Sequence, residues 1–149
     1  MLARTCRAAC LAGMFAAAAL AAPARAGGPV ALAGADEAAI RGVIAEQIAA
    51  FKRDDSSAAF ALAAPRIKTI FRTAERFMAM VRDSYLPVYR PSHFAFRELA
   101  WIDGLLVQPV LVIGPSGVPM TALYLMERQS DGTWQIGGVV LVPEPDSGS

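Results

Sequence analysis

The stretch HFAFRELAWIDGLLVQPVLVIGPSGVPMTALYLMERQSDGTWQIGGVVLV, residues 93–142, decides the fold class. Its apolar residues recur at every second position, the period of a pleated strand. Turn residues interrupt it at Asp103-Gly104, at Gly114-Pro115-Ser116-Gly117 and around Asp131-Gly132. Asp-Gly between alternating segments is a strong local signal for a tight hairpin. Four strands are therefore predicted, over 93–102, 105–113, 119–128 and 133–142, running as an antiparallel meander. Pro109 is the discordant residue. It has no N–H to donate, so a bulge or an edge is expected beside it.

With a two-residue turn at Asp103-Gly104 and a four-residue turn at Gly114–Gly117, both faces of this sheet come out apolar. One is expected to collect Phe94, Phe96, Glu98, Leu105, Val107, Leu111, Met120, Tyr124 and Met126. The other collects Arg97, Leu99, Trp101, Leu106, Gln108, Val110, Val112, Leu123 and Leu125. A sheet with one wet side alternates polar and apolar residues, and this one does not. Helices can cover one side, so the second is expected to meet another subunit or a ligand. A slip of one residue would exchange the two faces within a strand.

Upstream of Pro91 the period is helical. Ile40, Val43, Ile44, Ile48 and Phe51 fall on one face of a helix that Asp36 is expected to cap, with Glu37 and Arg41 paired on its wet side. Asp54-Asp55-Ser56 opens a short alanine-rich helix carrying Phe60 and ending near Pro65. A brief turn then gathers Ile67, Ile70 and Phe71. Thr73 caps another helix, whose inner stripe is Phe77, Met78, Val81 and Tyr85, stopped by Pro87. Helices followed by an antiparallel meander define an α+β fold, with N-terminal helices packed on a four-stranded antiparallel sheet.

The N-terminus reads as an address. Arg4 and Arg7 precede an uncharged run, Ala8 to Ala22, and Ala24-Arg25-Ala26 has the small-x-small form of a cleavage site. The run is shorter and less apolar than a spanning helix requires. Residues 1–26 are expected to be a signal peptide cut between Ala26 and Gly27, residues 27–35 a spacer, 36–142 the domain and 143–149 a disordered tail. Removing 26 of 149 residues leaves 123, enough for one core. Three of the 14 basic residues leave with the signal, so 11 face 13 acids, for a net charge of −2. That balance, without a basic cluster, gives no electrostatic case for nucleic acid, nor for a membrane once the signal is cut. Abundant alanine, two lysines and no asparagine suggest a GC-rich bacterial genome, and hence a periplasmic or secreted location.

Both cysteines, Cys6 and Cys10, lie in the signal, so the mature chain has no disulfide or thiolate chemistry. His93 is the sole histidine, which argues against zinc and against a Ser-His-Asp triad. No cofactor is expected. Tyr85, Tyr89, Arg90 and Arg97, near the helix-to-sheet junction, are candidate ligand contacts: two phenols and two guanidiniums suited to a polar or anionic group. Their structural alternative is ring packing and hydrogen bonding to backbone. Glu98 near Tyr124 is a candidate acid/base or ligand-contacting pair, with a salt bridge to an arginine as its alternative. Met78, Met80, Met120 and Met126 offer an adaptable apolar lining, or ordinary core. Trp134 is expected in the core.

Several segments resemble an uncharacterised bacterial family, domain of unknown function 4864. They are Phe51 with Asp54-Asp55, Ala58-Ala59-Phe60-Ala61, Phe77 with Met80-Val81-Arg82, Tyr85-Leu86-Pro87-Val88-Tyr89-Arg90-Pro91 and Asp131-Gly132-Thr133-Trp134-Gln135-Ile136. The resemblance spans about Asp36 to Val142 and implies an NTF2-like cone, in which a curved sheet wraps a long helix around a pocket. That superfamily includes isomerases, dehydratases, pure ligand binders and dimerisation modules, so it implies no single function. No catalytic residue carries over to this sequence. The expectation is a small-molecule binding domain for an apolar or amphipathic ligand, forming a homodimer through a sheet face. A dimeric interaction module is the first alternative, and an isomerase- or dehydratase-like enzyme the second.

Overall fold

The computed structural model describes residues 32–145; the expected signal peptide lies outside the described residues. Helix α1, Gly34–Lys52, buries Ile40, Ile44, Gln47, Ile48 and Phe51, one stripe at helical spacing. It starts two residues before Asp36, and Ala33 at its N-cap makes no side-chain bond. Asp36 is engaged elsewhere: its carboxylate accepts from Trp134 Nε1 at 3.1 Å, tying the last strand to the first turn of the helix. Glu37 and Arg41 pair at 2.6 Å, as their spacing predicts.

Helix α2, Ser56–Ala61, is capped by Asp55, whose side chain accepts from Ala58 N at 3.0 Å. The turn expected around Ile67 is a helix, α3, Pro65–Phe71. Pro65 occupies its first turn, where a missing N–H costs nothing. Helix α4, Ala74–Ser84, is capped by Thr73 and buries Phe77, Met78 and Val81. Pro87 does not simply end it; it sits in the first turn of α5, Leu86–Tyr89.

The sheet has five strands: β1 His93–Phe96, β2 Ala100–Ile102, β3 Leu105–Ile113, β4 Pro119–Arg128 and β5 Trp134–Pro143. All pairings are antiparallel, in the order β1-β3-β4-β5, with β2 also on β3. Asp103 and Gly104 both have positive φ, 50° and 77°, the geometry of the tight hairpin their identities predict. The single strand expected over 93–102 is two strands. Phe96 faces Val110 and Ala100 faces Val107, so three residues on one side oppose two on the other. That bulge lies opposite Pro109. Arg97 N donates to the Pro109 carbonyl at 3.0 Å. Proline cannot return the bond, and Gln108 Nε2 supplies it instead, donating to the Arg97 carbonyl at 2.7 Å.

The expected face assignment needs correction in β3. Ile113 pairs with Pro119, so the connection is five residues, 114–118, rather than four. The extra residue turns β3 over relative to β4, and the bulge turns it over relative to β1, while its register with β2 is the expected one. Leu106, Gln108, Val110 and Val112 therefore share a face with Phe94, Phe96, Met120, Tyr124 and Met126. Against this face packs the helical stripe of α1, with Phe77, Met78 and Val81 of α4 and Val88 of α5, forming one core. Leu105, Leu111, Leu123, Leu125 and Val140 point the other way, and Leu105 and Val140 are about half exposed, at 53% and 49%. Trp134 is buried in the core, as its position in the alternation predicts.

Two contacts fix the ends of this layer. Gly114, at the end of β3, lies where an added Cβ would stand 2.8 Å from Pro87 Cα, so the turn presses directly on α5. Along β5, Ile136 exchanges backbone bonds with Leu62 and Ala64, at 3.0 and 2.9 Å. The segment between α2 and α3 thus covers an otherwise open strand edge.

Candidate functional site

Where α3, α4 and β5 meet, the side chains leave a cavity of about 260 Å³. Helix α1 gives it Gln47 and Phe51, and α3 gives Ile67 and Phe71. Phe77, Met80 and Val81 come from α4, Tyr85 and Val88 from its continuation, and Ile136, Gly138 and Val139 from β5. Phe51, Phe71 and Phe77 form an aromatic wall, with ring centroids 6.1 Å apart for Phe51–Phe77 and 5.6 Å for Phe71–Phe77. No residue of α3 is fully buried, so this helix forms the outer wall. The lining carries no charged side chain, and Gln47 and Tyr85 are its polar members. Such a site suits an apolar body fixed by very few polar contacts.

Gln47 is 2% exposed, and its Nε2 donates to the Ala59 carbonyl at 3.2 Å, joining α1 to α2. That bond fixes the orientation of the amide and leaves its oxygen free of any partner among the described residues.

Of the six candidate ligand contacts singled out from sequence, Tyr85 lines the cavity and the others do not. Tyr89 is buried beside it, and its hydroxyl donates to Asp54 Oδ1. Arg90 lies 4.0 Å over the Tyr89 ring and donates to Asp54 Oδ2 at 2.8 Å and to the Phe51 carbonyl. Asp54 has φ 55°, in the left-handed region just past α1. Tyr89 first, and then Arg90, hold its carboxyl below the usual carboxylate range. This clamp fastens α5 to the end of α1. Phe51 and Val88 are both cavity walls, so Tyr89 and Arg90 position the site from behind.

Arg97 lies at the bulge and pairs with Glu144, just past β5, at 3.0 Å. Thr121 donates to the same carboxylate, and these contacts hold the Glu144 carboxyl low. Glu98 is exposed, with no hydrogen bond or ion pair among the described residues. Tyr124 is fully buried opposite Gln108 in the core, away from the cavity lining. Its hydroxyl has no hydrogen-bond partner among the described residues, and burial pushes the phenol up from its ordinary range. Of the four methionines, Met80 lines the cavity, Met78 and Met126 are core, and Met120 packs against it.

The remaining cavity residues are missed by sequence reasoning because each reads as ordinary core. Gln47 was the available signal: a polar residue on the apolar stripe of α1.

Residues 33–149 match the family described as Domain of unknown function (DUF4864). The chain belongs to that family. The match covers every helix and strand of the domain, so the cavity and the Asp54-Tyr89-Arg90 clamp both lie within the DUF4864 region. Neither the curated proteins nor the solved structures contain a significant match to the chain. Among the described residues no group of His, Cys, Asp and Glu could hold a metal ion, and no helix is long and apolar enough to cross a membrane.

Proposed function

We propose that this DUF4864 domain is an exported binding protein for a small apolar or amphipathic molecule, held in the cavity between α3, α4 and β5. The observation that carries this reading is an apolar cavity of about 260 Å³ walled by three phenylalanines. An apolar hollow of that size beside the core leaves its lining without packing partners, which favours its being occupied in use. The architecture, helices against one face of an unclosed antiparallel sheet, is compatible with an NTF2-like cone. The charged start, apolar run and Ala-x-Ala site of residues 1–26 favour export to the periplasm or beyond.

A homodimeric interaction module is the second reading. It rests on the outer sheet face, where Leu105, Leu123, Leu125 and Val140 are uncovered by any helix. An isomerase- or dehydratase-like enzyme has the least support, since the cavity lining offers neither a carboxylate nor an imidazole as general base.

Native mass spectrometry of the mature protein, released gently from its export compartment, tests the first two readings together. A monomer or dimer carrying a stoichiometric small-molecule adduct supports binding. A ligand-free dimer supports the interaction module, and a ligand-free monomer that takes up no apolar probe contradicts both.

A further inference from the structure

Resting on the binding role proposed above, we infer the chemical class of the ligand: a neutral, compact, mostly apolar molecule of about ten heavy atoms with one hydrogen-bond donor, an alcohol or phenol, directed at Gln47 Oε1. Size comes first. A cavity of about 150 Å³ takes one benzene ring, or roughly 25 Å³ per heavy atom. At that ratio 260 Å³ holds about ten. Long acyl chains and steroids do not fit within its walls.

Charge comes second. The wall has no cation or carboxylate to pair with an ion, and transferring an unpaired charge into such a site is prohibitive. Carboxylates and amines are therefore rejected in their ionised forms.

The donor comes third. Gln47 is buried and lines the cavity, and its amide nitrogen is committed to the Ala59 carbonyl. The carboxamide is thereby oriented with its acceptor oxygen unclaimed by the described residues. An acceptor on an apolar wall with no partner among the described residues favours a ligand that donates to it. Tyr85 is the other polar wall residue, but it is half-buried where Gln47 is 2% exposed, so Gln47 is the polar group set deeper in the wall.

Calorimetric titration of the mature protein with four bicyclic probes tests the inference: 1-naphthol, 1-methoxynaphthalene, naphthalene and 1-naphthoate. The expected order places 1-naphthol about three- to tenfold tighter than naphthalene, the worth of one hydrogen bond. Methoxynaphthalene, an acceptor without a donor, binds no better than naphthalene, and naphthoate does not bind. In Gln47→Leu, with the fold checked by circular dichroism, the naphthol advantage disappears while naphthalene still binds; in Tyr85→Phe the advantage remains. Equal binding of naphthol and naphthalene to the natural protein overturns the inference but leaves the binding role standing. So does an advantage lost in Tyr85→Phe and kept in Gln47→Leu. Binding by none of the four overturns both. The comparison among probes on the natural protein decides the matter even where Gln47→Leu fails to fold.

Discussion

Two apolar regions of this molecule look alike in sequence and differ in what surrounds them. The cavity is walled by four helices and one strand, partly open to solvent and without charge in its walls. The outer face of the sheet is as aliphatic, yet it is open, and the Arg97–Glu144 pair links the bulge after its first strand to the residue after its last. A concave site walled on several sides removes water from much of a small ligand's surface, which suits a molecule of cavity size. An open face leaves one side wet and suits a surface as broad as itself, such as a second copy of the sheet in isologous contact. Apolar character alone therefore does not separate a pocket from an interface; the covering elements do.

The largest effect that can break this contrast is a charge on the covered face. Val110 is fully buried in the core, and Val110→Lys is expected to abolish folding, because the ammonium has no partner there. Loss of the cooperative transition in urea, with an unfolded circular dichroism spectrum, is the expected result; a folded protein of near-natural stability would mean the faces are reversed. Next is Trp134, packed in the same core with its indole N–H on Asp36. Trp134→Ala is expected to cost about 3–5 kcal/mol by urea denaturation, and a loss below about 1 kcal/mol would place the ring outside the core.

Acidification probes the clamp behind the cavity. The Asp54 carboxyl is held low in the folded state, so its contribution is fully present above the ordinary carboxylate range and is lost as pH falls from that range through the lowered folded-state value. Thermal stability should therefore fall on acidification, less steeply in Asp54→Asn, and an identical pH profile in the two proteins would remove the clamp from the account. The smallest effect on stability belongs to the outer face. Val140→Lys should change unfolding free energy by no more than about 0.5 kcal/mol, as surface substitutions do. If a second copy covers that face, light scattering will show the variant as a folded monomer beside a dimeric natural protein. A natural protein already monomeric at tens of micromolar contradicts the dimer.

The difference between the faces was only half legible in the sequence. Local signals were strong: the stripe from Ile40 to Phe51, the Thr73 cap and the Asp103-Gly104 hairpin are each formed as their residues dictate. Register was not, because it depends on one residue in each of two places. The connection after Ile113 is five residues long, and the bulge opposite Pro109 adds one more. Pro109 signalled the irregularity, but that Gln108 would replace its missing donor is a tertiary fact. The candidate site was legible at Tyr85 and Met80. Tyr89 and Arg90 are polar residues whose demand is met by Asp54, a partner more than thirty positions away. Cavity residues such as Ile67 and Val139 carry no mark that distinguishes a wall from a filled core.

The most direct test of the account is amide and methyl chemical-shift mapping by NMR as 1-naphthol is added to the isotope-labelled mature protein. The account predicts saturable shifts centred on Gln47, Phe71, Met80 and Val139, with Leu125 and Val140 on the outer face unmoved. Shifts centred on Leu125 and Val140, or none that saturate, would contradict it.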